Sequence, residues 1–143
     1  MIALPASVLE QIREHGRQAY PEECCGALLG LVEAEGARVA RAERLENARK
    51  QERRRRYSVT PQEYLRAERA AAAEGLTLLG FYHSHPDHPA APSGYDREHA
   101  LPFFHYVILN VSSGEPGEVA SWVLSEDRGI FDREPLVPAG TEE

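Results

Sequence analysis

The sequence predicts an α/β fold: one mixed sheet flanked by helices, within a single domain over residues 1–143. Three observations lead there. The chain of 143 residues is 42% hydrophobic and 27% charged, ordinary for a globular domain, and at this length roughly two thirds of the unfolded surface can enter one core. Two stretches carry helical spacing with recognisable ends, and short apolar runs cut by glycine and proline lie between and after them. The resulting order is helix, strands, helix, strands.

Residues 5–20 open with Pro5, suited to a first helical turn, and set Val8 and Ile12 against a polar remainder. They form a surface helix ending within 16–20, with His15 on its solvent side. Residues 25–32 are apolar, Ala34-Glu35-Gly36 supplies a turn, and 38–45 returns as the second arm of a hairpin. A further short strand is expected over 56–59. Thr60-Pro61-Gln62-Glu63 combines a capping side chain, a first-position proline and an acidic first turn, so an alanine-rich helix starts there and closes at Gly75. Residues 76–84, 104–111 and 119–124 are expected as buried strands, with a last strand over 129–137 and a frayed end over 138–143.

Composition excludes several classes of function. The net charge of −7 disfavours a nucleic-acid surface, which needs a concentrated basic face. Arg49-Lys50 and Arg53–Arg56 are the local exception and are expected as a solvated loop or hairpin flank. The apolar runs fall far short of the ~20 residues that span a bilayer, and Met1-Ile2-Ala3-Leu4 lacks a basic segment followed by an apolar one. Cys24 and Cys25 are adjacent and staple no loop, so a reducing cytoplasm is the expected compartment. Cys25 is expected as a small buried hydrophobe, with Cys24 turned outward.

The chemistry concentrates in "FYHSHPDHPAAPSGYDREHA", residues 81–100. On a strand, His83 and His85 face one side and Ser84 the other, which makes a pair of convergent imidazoles. A hydrolytic zinc site takes three protein ligands and leaves one position open, and Asp96 is the carboxylate placed to be the third. Pro86, Pro89 and Pro92 stiffen the connection. Ser93 and Asp96 also fit a helix N-terminus, with Ser93 as cap and Asp96 at the third position. His88 competes as a ligand through its spacing from His85, while His99 on a polar helix position and His105 at a strand edge have weaker claims. Hydrolysis of an amide also needs a group that takes and delivers a proton, and it must come from elsewhere in the chain.

Glu23 in "PEECCGALLG", together with "HSHP" and "SGYD", resembles the JAMM (MPN+) metalloprotease family, whose pattern is a glutamate, a remote His-x-His-Pro, then Ser-x-x-Asp. Pro21-x-Glu23-x-Cys25-Gly26 is similar to the leader of the bacterial branch, and the resemblance covers most of the chain in element order. It implies a cytidine-deaminase-like, MPN-type sandwich and one zinc ion held by His83, His85 and Asp96. It also implies Glu23 as general acid/base and Ser93 at the developing oxyanion. Iron or manganese would suit the same donors. Family members cleave bonds at the C-terminus of ubiquitin-like proteins, and bacterial relatives act on small sulfur carriers ending in Gly-Gly. A carrier of that kind is therefore the expected partner, its tail added alongside an edge strand. Two other readings stand beside this one: a non-catalytic MPN-type scaffold, which in the family lacks the metal ligands retained here, and a RadC-like protein, whose link to DNA disagrees with the acidic charge.

Overall fold

The computed structural model describes residues 1–49, 52–53, 57–124 and 130–138. Eight strands form one sheet in the order β7-β6-β5-β4-β2-β3-β1-β8. The strands are β1 (Ile2–Leu4), β2 (Cys25–Glu33), β3 (Gly36–Leu45), β4 (Thr77–Pro86), β5 (His105–Ser112), β6 (Glu115–Leu124), β7 (Phe131–Glu134) and β8 (Leu136–Pro138). The helices are α1 (Ala6–Ala19), α2 (Pro61–Ala73) and the short α3 (Gly94–His99). Pairing is mixed: β4–β5, β1–β3 and β1–β8 are parallel, the rest antiparallel. The expected mixed sheet with flanking helices is therefore the fold.

Helices cover both faces, and the periodicity of β4 sorts its side chains between them. Leu79 and Tyr82 join the α1 side with Val8, Ile12, Leu28 and Leu109. Leu78 and Phe81 join the α2 side with Ala67, Ala71, Leu29 and Tyr106. The parity changes because the β2–β4 register shifts between Leu28 and Leu29, leaving Leu79 as an extra residue. Each fully buried aliphatic side chain here contributes about 1.5–3 kcal/mol through removal from water. Two glycines permit close approaches: a Cβ on Gly26 would lie 2.1 Å from the Tyr82 ring, and one on Gly80 would lie 1.8 Å from the His105 carbonyl oxygen.

Thr60 caps α2 as expected, its side chain accepting from Glu63 N at 3.1 Å. Several expectations are corrected. β1 was not foreseen, because three residues are too short to show a period. The expected last strand is two strands separated only by Pro135, one pairing with β6 and the other with β1. Since a single residue spans the gap, the sheet must curl until its two ends meet there. Pro138, where the frayed end was expected to begin, pairs with Leu4, and residues 139–143 lie outside the described residues.

Residues 57–59 form no strand, and Arg56 lies outside the described residues. The Asn47 side chain takes the place of a ladder, accepting from Ser58 N at 3.2 Å, while Ala48 N donates to Ser58 O at 2.9 Å. Of the basic run, Lys50 and Arg54–Arg56 are likewise outside the described residues. Cys24 is buried along with Cys25 because the sheet is covered on both sides. His15 is half-buried rather than solvent-facing, with Nδ1 2.7 Å from the Tyr82 hydroxyl. Among the described residues, no helix is long and apolar enough to cross a membrane.

Candidate metal centre and active site

The C-terminal end of β4 lies in mid-sheet, with Cys25 opposite His83 on one side and Ile108 on the other. Pairing continues past the start of β2: Ser84 N donates to Cys24 O at 3.1 Å and Cys24 N donates to Ser84 Oγ at 2.9 Å. Two residues along that register, Glu23 falls opposite His85, and directly opposed residues of an antiparallel pair share a face. Glu23, His83 and His85 thus stand together on the α2 side. The loop before α2 closes over Glu23, whose N donates to Arg53 O at 2.6 Å and whose carbonyl accepts from Asn47 Nδ2 at 3.3 Å.

The proline-containing loop that follows β4 is tied down along its length. Asp87 adopts a φ of 59°, which a short polar side chain tolerates, and it accepts from Ser113 N at 2.8 Å and from the Tyr20 hydroxyl at 2.7 Å. Asn110 Nδ2 donates to His88 O at 2.6 Å, and Trp122 Nε1 donates to Ala90 O at 3.0 Å. This delivers Ser93 as the cap of α3. Ser93 Oγ accepts from Asp96 N at 3.0 Å, and Ser93 N donates to Asp96 Oδ2 at 2.9 Å, a reciprocal capping box. The same Asp96 oxygen is thereby aimed at the histidines.

Three atoms converge. His83 Nε2 and His85 Nε2 are 3.2 Å apart, and Asp96 Oδ2 lies 3.3 Å from the first and 3.1 Å from the second. A four-coordinate ion with bonds of about 2.0–2.1 Å separates its ligand atoms by roughly 3.3 Å, so this triangle has the edges of a tetrahedral site. The Nδ1 of His85 is 2.9 Å from Pro89 O, a contact that assigns the proton to Nδ1 and leaves the Nε2 lone pair facing the cluster. Nitrogen, nitrogen and oxygen donors suit zinc and its divalent neighbours. His83, His85 and Asp96 therefore fit a metal ion, and among the described residues they are the one such group.

Electrostatics agree with that fit. Burial pushes the His83 imidazole below its usual pKa. Burial acts the same way on His85, but its hydrogen bond to Asp96 and that carboxylate's charge outweigh it and raise the pKa. Asp96 is buried too, yet the two imidazoles hold it well below the usual carboxylate range. Glu23 is the opposite case: burial pushes its carboxyl up to about 8, with His85 opposing and Asp96 adding to the shift. Its Oε1 is buried and has no hydrogen-bond partner among the described residues. A carboxyl that readily holds a proton, beside a cluster of metal-type donors, can shuttle one.

Glu23, His85 and Ser93 line a cavity of about 520 Å³ together with His88 and Tyr95. A second, aromatic cavity of about 240 Å³ adjoins Asp96 and is walled by Tyr57, Tyr64, Phe81 and Tyr95. The structure thus brings together all five residues singled out from the sequence. His88 is exposed at the cavity rim, and the ring of His99 stacks on Tyr95 at 4.0 Å. Tyr57, whose ring stacks on His83 at 4.4 Å, was missed, since an isolated aromatic after an arginine run carries no periodic signal. The strand that carries the histidines, β4, is interior, between β2 and β5.

Comparisons with known proteins converge on one family. The model for prokaryotic homologs of the JAB domain matches residues 5–125. A desampylase of Haloferax volcanii is 33% identical over 114 residues, covering 76% of this chain and 80% of that protein. A probable TtuB-protein conjugate cleaving protease of Thermus thermophilus is 35% identical over 130 residues, covering 91% of this chain and 80% of that one. The solution structure of a Salinibacter ruber protein superposes with a TM-score of 0.76 at 46% identity, covering 98% of this chain and 93% of the other. With its His-x-His and Ser-x-x-Asp groups gathered at one end of β4, the chain belongs to the prokaryotic JAB-domain family.

Proposed function

We propose that this chain is a zinc-dependent isopeptidase that hydrolyses the amide joining the Gly-Gly tail of a ubiquitin-like or sulfur-carrier protein to an amine. The observation that carries the proposal is the ligand triangle of His83, His85 and Asp96, with Glu23, whose Oε1 has no hydrogen-bond partner among the described residues, lining the same cavity as His85. Similarity to proteins named for desampylation and for cleaving TtuB-protein conjugates supports the substrate class. We assign it to the cytoplasm, in keeping with two adjacent free thiols.

When bound, the ion supplies a Lewis acid that polarises the carbonyl and lowers the pKa of water toward about 7. The remaining work belongs to the chain. His83, His85 and Asp96 hold the site, with Pro89 O fixing the His85 ring and Ser93 N fixing the Asp96 oxygen. Glu23 takes the proton of the attacking water, keeps it in a buried pocket and returns it to the leaving nitrogen. Capping uses a lone pair of Ser93 Oγ, so the hydroxyl hydrogen remains to donate to the carbonyl oxygen as charge develops. A tail ending in two glycines brings no side chain to the point of attack and reaches the cavity at low steric cost.

The test is to incubate the purified protein with a Gly-Gly-tailed carrier joined to an amine and to follow the products by mass spectrometry. Cleavage after the terminal glycine, lost with a chelator and restored by zinc, is expected. Metal-loaded protein that leaves every such conjugate intact contradicts the proposal.

A further inference from the structure

The two histidines of the site are held in different ways. His85 is fixed through Pro89 O. His83 is 1% exposed, and its Nδ1 has no hydrogen-bond partner among the described residues. An imidazole that ligates through one nitrogen is ordinarily oriented through the other, so something else must hold this ring. Tyr57 is in place to do so: the two rings are stacked, 4.4 Å between centroids and 25° between planes. Its other ring neighbour among the described residues is the tilted ring of His85, at 4.9 Å and 58°.

We propose that Tyr57 is a positioning residue for His83, its stacked ring replacing the missing hydrogen bond and holding Nε2 toward the metal position. The inference rests on the reading of His83 as a ligand. Tyr57 is itself anchored, because the next residue is tied to Asn47 and Ala48 and Thr60 caps α2 just beyond. The stack is worth more with an ion bound than without. An imidazole donating its lone pair to a cation becomes electron-poor, and the electron-rich face of a phenol attracts such a ring more strongly. Tyr57 therefore favours the loaded site and, since its ring also walls the aromatic cavity, joins that cavity to the metal centre.

The experiment compares the parent with Tyr57→Phe and Tyr57→Leu, each stripped of metal. Zinc affinity is read by competition with a chromophoric chelator, and the His83 ring protons are read by NMR without metal. Tyr57→Leu is expected to weaken zinc binding about 10-fold or more, as loss of a residue orienting a ligand does, while Tyr57→Phe stays within roughly 3-fold. The His83 ring signals should lose their aromatic shielding in Tyr57→Leu alone. Parent-like affinity in Tyr57→Leu, or an equal loss in Tyr57→Phe, overturns the inference. If Tyr57→Leu does not fold, shielded His83 signals in the parent support the stack and unshielded ones refute it. A parent that takes up no zinc overturns the ligand assignment itself, a result distinct from variants that bind alike.

Discussion

Two histidine–carboxylate clusters sit on the same sheet, one at the C-terminal end of β4 and one at the start of β5. In the second, Glu134 Oε2 accepts from His105 Nδ1 at 2.6 Å and from Ser121 Oγ at 2.7 Å, while Oε1 pairs with the Met1 ammonium at 3.1 Å. Each side chain there has a partner within the cluster. The serine donates to the carboxylate rather than to the histidine, so no base stands ready to activate it. In the first cluster two imidazole nitrogens face each other across 3.2 Å, and a nearby buried carboxyl oxygen has no hydrogen-bond partner among the described residues. Residue composition does not separate the two clusters; unsatisfied donors and acceptors do. The Glu134 cluster locks the corner where the curled sheet meets itself, and the Asp96 cluster is arranged for something that the chain does not itself supply.

The largest effect should come from Glu23. In the proposed mechanism Glu23→Gln removes the proton carrier but no ligand, so turnover should fall about 10²–10⁴-fold while zinc content is retained. Loss of zinc along with activity would place Glu23 among the ligands instead. Ser93→Ala comes next. It removes the α3 cap and, in the proposed mechanism, a donor to the oxyanion, so kcat should drop about 10²-fold and stability by about 1 kcal/mol, with Ser93→Thr restoring the stability.

At the other cluster the pattern reverses. Glu134→Gln should cost about 1–3 kcal/mol in chemical denaturation and leave zinc affinity and kcat within twofold of the parent. A fall in activity without unfolding would erase the distinction between the clusters. The smallest effect concerns His15, whose pKa burial lowers from 6.5 to about 4, with Arg44 adding to the shift. A depressed histidine keeps the folded state neutral, so the stability it confers is complete above about pH 6.5 and is lost as pH falls toward 4. His15→Gln should flatten the thermal-unfolding profile across that window, and an unchanged profile would show that His15 titrates normally.

Much of this was legible in the chain because the signals were local. Thr60-Pro61 marked α2, Ala34-Glu35-Gly36 marked the hairpin, and alternation along β4 placed His83 and His85 on one face. Resemblance to a family pattern supplied Glu23, which no local rule selects, and its position follows from the β2–β4 register, a long-range fact. What escaped was likewise non-local. β1 exists because β3 and β8 flank it, the curl of the sheet depends on Pro135 bridging its two ends, and His15 turns inward to meet a tyrosine that Gly26 lets pass. Tyr57 belongs with these, since only the packing of the loop before α2 brings it onto His83.

The central claim is that His83, His85 and Asp96 form a ready-made binding site for one divalent ion while Glu23 stands outside the ligand set. Calorimetric titration of chelator-stripped protein with zinc tests it most directly. The account predicts one ion per chain for the parent and for Glu23→Gln, and at least 10²-fold weaker binding for His85→Ala and Asp96→Ala. A parent that takes up no ion, or ligand variants that bind it as tightly as the parent, would contradict it.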